Sequence, residues 1–269
     1  MKADRHFFDY KGVRLHYLVF GKGPETLLCF HGYGQQAEHF RPLAKRFDKQ
    51  FTIFSFDLFY HGKSEWPDCE VALSSDFMAE ILRALMHACA LEKVSLCGYS
   101  MGGKVVLSLA EKITPHIDKL LLIAPDGIST NFWYNMATYP YWMRRLFKYS
   151  IQNPAVFFKI SQLFGVLKIV DKGVLRFANR QMNTQAKREK VYCSWLTYRK
   201  IKPEIDHLSK KLNLMQISVH IFLGRYDRII RKKSVAPLYT KLNHCTVTIL
   251  QRGHNTLIDD VAGYSQPIF

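Results

Sequence analysis

Short segments dominated by apolar residues, candidate strands, recur at 13–20, 26–30, 51–56, 94–97, 120–124, 219–223 and 246–250. Several are apolar at nearly every position, the pattern of strands buried on both faces of a sheet. Between them the pattern changes to a helical period at 37–47, 75–91, 102–113 and 233–242, the second of these opening on Ser75. Strand and helix therefore alternate, which predicts an α/β fold with a mostly parallel sheet flanked by helices. The start of the chain differs. Residues 7–10 and 13–20 flank Lys11-Gly12 and predict a hairpin, so parallel winding begins only after it. A short final helix fits 255–262.

The alternation stops after Asp126-Gly127. Roughly 75 residues rich in aromatic and basic side chains follow, far longer than an ordinary connection. They predict a helical cap over 127–204, inserted into a core made of 1–126 and 205–269. Within the cap, Pro140 suits a first helical position, and Trp142, Leu146 and Tyr149 then share a face away from Arg144, Arg145 and Lys148. Such a helix is either a lid packed on the core or a segment resting on a membrane surface. The aromatics Phe132, Trp133, Tyr134, Tyr139 and Trp142 suit either an apolar acyl or aromatic substrate group or the core of the cap itself.

Composition adds limits. A chain of 269 residues with 48% hydrophobic content buries one large core, so one domain with an insertion is expected. The net charge of +16 would draw polyanions, anionic lipid surfaces or acidic substrates. Lys and Arg are spread along the chain with no nucleic-acid motif, so no nucleic-acid partner is expected and peripheral contact with an anionic membrane stays open. No uncharged apolar stretch of about 18 residues occurs, and residues 1–6 run into Phe7-Phe8 without an apolar signal region, so the expected location is cytoplasmic. Cys29, Cys69, Cys89, Cys97, Cys193 and Cys245 lack zinc or redox spacing and are expected to be reduced core residues. Oligomeric state is not legible.

The chemistry centres on Gly98-Tyr99-Ser100-Met101-Gly102, where an apolar strand breaks into a helix. This is a G-x-S-x-G nucleophile elbow in its proper setting. A serine that attacks a carbonyl must stand clear of the backbone, and a sharp turn with glycines on either side achieves that. The same turn sets the first free N–H groups of the helix beside the hydroxyl, where negative charge would develop. Two later strands also end in chemically useful turns: 220–228 carries Asp227 after Gly224-Arg225-Tyr226, and 247–254 carries His254 after Arg252-Gly253. Ser, Asp and His thus follow in that order at the carboxyl ends of separate strands.

On these residues the chain resembles the α/β-hydrolase superfamily of serine hydrolases, of the esterase and lipase kind with a helical cap, over essentially its whole length. The resemblance implies Ser100 as nucleophile, His254 as general base and then general acid, and Asp227 as the orienting carboxylate. Asp126, which also ends a strand, is the rival for the acid, with Asp227 favoured. Of the two oxyanion donors, one is the N–H of Met101 directly after the nucleophile. His31-Gly32-Tyr33-Gly34 resembles the family's H-G-x-G turn and implies the Tyr33 N–H as the other, with His31 holding the loop. Residues 57–64 are similar to the family's D-x-R-G-H-G-x-S segment, but Phe59 and Tyr60 stand where Arg and Gly are usual, which implies an altered pocket wall and a structural His61.

The reaction this implies is hydrolysis of a carboxylic ester or thioester with a small apolar or acyl group, without metal or organic cofactor. A serine at the elbow sets aside the aspartate-dependent dehalogenase and epoxide hydrolase branches. Two alternatives stay open. The elbow is also similar to that of the menaquinone-pathway lyase, which eliminates pyruvate. Here Lys104 replaces the arginine usual in it, and Arg144, Arg145, Arg176 or Arg180 would supply further positive charge. The third is a non-catalytic ligand-binding protein on the same scaffold.

Overall fold

The computed structural model describes residues 2–129, 132–166 and 172–268, and the side chains of Trp133, Ile160, Phe164, Val166, Lys172, Val174 and Phe177 are also outside what it describes. Eight strands form one sheet: β1 (Asp4–Tyr10), β2 (Val13–Phe20), β3 (Glu25–Phe30), β4 (Phe51–Phe56), β5 (Val94–Tyr99), β6 (Ile117–Ile123), β7 (Ser218–Gly224) and β8 (Cys245–Leu250). Their spatial order is β1-β2-β4-β3-β5-β6-β7-β8. β1 and β2 pair antiparallel as the expected hairpin, β2 pairs antiparallel with β4, and every later pairing is parallel. The expected α/β architecture is therefore observed.

Apolar strands lie where both faces are covered. Leu27, Leu28, Cys29 and Phe30 of β3 and Leu120 to Ile123 of β6 are fully buried, whereas the edge strands β1 and β8 are partly exposed. The helices of this part are α1 (Arg41–Phe47), α2 (Ser75–Ala88) and α3 (Met101–Lys112). The segment expected as one helix over 37–47 is a 3₁₀ turn, Ala37–Phe40, followed by α1. Pro42 has no N–H to continue the ladder across that junction. α2 stops at Ala88 rather than Leu91, because Ala90 turns left-handed at φ 53°.

The chain divides into two compact units. The first contains residues 1–67, 74–129 and 201–269; the second contains 68–73 and 130–200. The second unit is helical: α4 (Phe132–Thr138), α5 (Tyr141–Gln152), α6 (Pro154–Val166), α7 (Lys172–Gln181) and α8 (Gln185–Thr197). Residues 68–73 join it through Glu70, whose Oε1 accepts from Tyr192 Oη at 2.6 Å, and through the Leu73 N–H, which donates to Thr197 O at 2.8 Å. Its interior is aromatic, with Phe147 against Tyr192 and Trp195 and Tyr134 against Trp195.

Two expectations for this unit need correction, the place of Pro140 and the burial of its aromatics. Pro140 precedes α5 as its cap, with extended ψ of 132°, and its carbonyl accepts from the Arg144 N–H at 3.0 Å. Trp142, Leu146 and Tyr149 do share one face of α5, and all three are exposed, because Phe147, Ser150 and Ile151 form the face turned into the unit. Phe132, Tyr139 and Trp142 are likewise exposed rather than core, and the Trp133 side chain lies outside the described residues.

The first unit ends with α9 (Ile205–Leu214), α10 (Lys232–Tyr239) and α11 (Leu257–Ala262). All six cysteines are free thiols; Cys29 and Cys97 are buried, but Cys69, Cys89, Cys193 and Cys245 are only half-buried, so they are not all core residues. Among the described residues no helix is long and apolar enough to cross a membrane.

Candidate active site

β5 ends at Tyr99 and α3 starts at Met101, so Ser100 stands alone in the turn. Its backbone lies at φ 51° and ψ −117°, a conformation that costs a non-glycine residue about 1–3 kcal/mol. Hydrogen bonds hold it there. The Ser100 N–H donates to Ile123 O at 3.0 Å, and Ser100 O accepts from the N–H groups of Gly103 at 2.8 Å and Asp126 at 2.9 Å. Gly102 is required by close approach, since a Cβ there would overlap the Phe30 carbonyl of β3.

Asp227 and His254 follow adjacent parallel strands, β7 and β8, whose last registered pair is Gly224 with Leu250. The two loops therefore leave the sheet at the same, carboxyl, end of the strands. They are tied together by the Arg225 N–H to Leu250 O at 2.8 Å and the Tyr226 N–H to Arg252 O at 3.0 Å. Asp227 Oδ1 accepts from the N–H groups of Ile229 and Ile230, each at 2.8 Å, and Oδ2 lies 2.6 Å from His254 Nδ1. A carboxylate only accepts, so Nδ1 carries the imidazole proton and Nε2 is left as an acceptor 2.9 Å from Ser100 Oγ. The carboxylate side chain is 0% exposed and the imidazole 11%. That arrangement suits a group that must orient and one that must reach substrate.

Asp126 is placed differently. Its N–H supports the elbow, and the carboxylate on His254 Nδ1 is that of Asp227. Tyr99 is a contributor that the sequence reading missed. Its hydroxyl donates to His254 O at 2.7 Å and its ring lies 5.2 Å from the imidazole, so it steadies the histidine loop. Burial raises the Tyr99 phenol well above its ordinary range, with the Asp227 charge adding to the effect. The only signal in the sequence was its place as the variable residue before the serine.

The loop after β3 lies directly against the elbow: a Cβ on Gly32 would come 2.9 Å from the Tyr99 ring and 3.1 Å from Ser100 Cβ. Tyr33 is the next residue along. Buried His31 fixes this loop, its Nδ1–H donating to Gly32 O at 2.7 Å and its Nε2 accepting from the Leu58 N–H at 3.0 Å. Burial, and then the neighbouring His61, pull His31 down to about 3, so it is neutral as those bonds require. Met101, as the first residue of α3, has an N–H with no intrahelical acceptor.

Asp57 organises the 57–64 segment. Oδ1 accepts from the Ala37 N–H at 2.6 Å, while Oδ2 takes the Lys63 N–H at 2.8 Å and lies 2.7 Å from buried His16 Nδ1. Tyr60, at the position where the family pattern has glycine, adopts φ 63°, and Phe59 is buried against Trp66. His61 Nδ1 lies 3.1 Å from Phe59 O, a structural placement. One turn into α3, Lys104 is also buried, and burial pulls its ammonium down to about 8, with Asp126 opposing and Lys202 assisting. The arginines named with it for the lyase, Arg144, Arg145, Arg176 and Arg180, belong to the helical unit.

A family model described as alpha/beta hydrolase fold matches residues 25–261. The chain is 34% identical over 125 residues to a human serine hydrolase, BPHL, covering 45% of this chain and 42% of that one. It is 28% identical over 129 residues to a pimeloyl-acyl-carrier-protein methyl ester esterase of Nitrosomonas europaea, covering 48% and 46%. These alignments span less than half the length of the curated relatives. Among solved structures, a thermophilic esterase from Thermogutta terrifontis superposes with a TM-score of 0.69 at 18% identity, covering 98% of this chain and 96% of that one. At that identity the likeness speaks for the fold alone.

Proposed function

The chain belongs to the α/β hydrolase fold family, and from that premise we propose that it hydrolyses carboxylic esters or thioesters through Ser100, His254 and Asp227. The observation that carries this reading is the unbroken relay from Ser100 Oγ to His254 Nε2 and from His254 Nδ1 to a doubly anchored Asp227 carboxylate. Relatives whose names describe a serine hydrolase and a methyl ester esterase support it.

In this mechanism Ser100 Oγ attacks the substrate carbonyl as His254 Nε2 takes its proton. The Tyr33 and Met101 N–H groups stabilise the oxyanion, and Asp227 stabilises the imidazolium. His254 then returns the proton to the departing alcohol or thiol, leaving an acyl group on Ser100. Water, deprotonated by the same histidine, releases the acid and restores the serine. The strain at Ser100 serves this sequence by holding Oγ in line with Nε2.

Turnover of p-nitrophenyl esters of increasing acyl length, followed by acyl thioesters, tests the proposal with Ser100→Ala in parallel. Hydrolysis by the wild type that falls by about 10⁴-fold or more in the variant is the expected result. Equal hydrolysis by both would remove Ser100 from the mechanism.

A further inference from the structure

Helix α5 turns outward the residues that an amphipathic helix would ordinarily bury. Tyr141 is 66% exposed, Trp142 63%, Leu146 46% and Tyr149 52%. This stripe is not an unfinished part of the unit's own core. The opposite face already packs, with the Phe147 ring 5.3 Å from Tyr192 and 5.7 Å from Trp195. Basic groups flank the stripe. Arg145 and Lys148 line a shallow depression together with Leu146, Tyr149 and Gln152. Arg145 also stacks over the Tyr141 ring at 5.9 Å, and Lys148 Nζ lies 3.2 Å from Glu70, a carboxylate that offsets part of the charge.

The charge distribution says what this face fits. The helical unit holds thirteen lysines and arginines against four aspartates and glutamates, a net +9 of the chain's +16. Such a unit attracts an anionic surface and repels a second copy of itself. A nucleic acid would satisfy the charge but offers no apolar phase for Leu146. An anionic bilayer offers both: an interfacial layer for Trp, Tyr and Leu, and phosphates for Arg and Lys.

We propose that the outward face of α5 is a docking surface for anionic phospholipid membranes, with Trp142, Leu146 and Tyr149 entering the interfacial layer and Arg145 and Lys148 meeting lipid phosphates. The contact is peripheral and reversible, and it does not depend on which reaction the chain performs.

Co-sedimentation of the full chain with vesicles of phosphatidylcholine alone, or mixed with phosphatidylglycerol, tests this. Binding to the anionic vesicles, weak binding to the neutral ones, and release by salt are expected. The double variant Trp142→Ser/Leu146→Ser should lose about tenfold or more of its partitioning, having lost most of the buried apolar surface. Arg145→Gln should lose about fivefold at low salt, roughly 1 kcal/mol for one basic residue at the surface. All three positions are exposed, and circular dichroism checks that the variants keep the wild-type fold. No binding by the wild type, or wild-type binding by the folded double variant, would overturn the proposal. So would a concentration-dependent dimer that the double variant abolishes, which would assign the face to a second copy. Because the readout is binding, an inactive protein still gives an answer.

Discussion

Replacing Asp227 with asparagine should disable the histidine without disturbing its position. Asp227 Oδ1 is held by two N–H donors, at Ile229 and Ile230, each 2.8 Å away. In Asp227→Asn the amide oxygen must occupy that place, because an NH₂ group cannot accept those bonds. The amide nitrogen is then left 2.6 Å from His254 Nδ1, where the carboxylate oxygen had been. Two donors cannot face each other, so the imidazole must move its proton to Nε2. That proton then points at Ser100 Oγ, 2.9 Å away, and the general base is lost. Triads put into the wrong tautomer in this way lose ~10⁴-fold in kcat, equivalent to ~5.4 kcal/mol at ~1.36 kcal/mol per factor of ten. The assay is kcat and KM for a short p-nitrophenyl ester, with thermal unfolding to show that the variant is folded. Asp126→Asn serves as control and should retain activity within about tenfold, since Asp126 reaches the elbow through its N–H. A loss of less than tenfold in Asp227→Asn, or the larger loss in Asp126→Asn, would mean that Asp227 does not set the histidine tautomer.

Three further outcomes are expected. Gly102→Ala should destabilise the fold by about 1–3 kcal/mol or more through overpacking against the Phe30 carbonyl, read as a lower urea midpoint; an unchanged midpoint would contradict the close approach. Ser100→Gly should be about 1 kcal/mol more stable than Ser100→Ala, because glycine tolerates φ 51° while its extra freedom in the unfolded chain offsets part of the gain; equal stabilities would mean that the turn holds no strain. Lys104 is depressed in the folded state, so between its folded value of about 8 and its unfolded value of 10.5 the unfolded chain binds more protons and stability rises with pH, by roughly 3 kcal/mol. Below pH 8 that contribution is absent. Urea titrations across this window should show the rise in the wild type relative to Lys104→Met, and parallel curves for the two would remove Lys104 as its source.

The legible parts of the chain were those whose signal is local. β2 and β4 fall on the expected boundaries, and the remaining strands of the sheet shift by only a few residues, because strands covered on both faces are simply apolar. Ser100, Asp227 and His254 were legible because each ends a strand in a turn of distinctive composition, and their order along the chain was informative. The rest depends on partners distant in sequence. Nothing local marks Glu70 as a partner of Tyr192, 122 residues away, so the membership of 68–73 in the helical unit was invisible. The buried pair of His16 with Asp57 spans 41 residues and was missed for the same reason. On α5 the periodicity identified a helix but not which face turns inward. Both faces carry large aromatics, and Phe147, rather than Trp142, found ring partners on α8. The break between the 3₁₀ turn and α1 is a different case, since Pro42 was present to be noticed.

An activated Ser100 should react with a short-chain fluorophosphonate, and intact mass reads that reaction without any choice of substrate. One stoichiometric adduct is expected on the wild type and none on Ser100→Ala. An unmodified wild type, or an adduct that persists on Ser100→Ala, would contradict an activated Ser100.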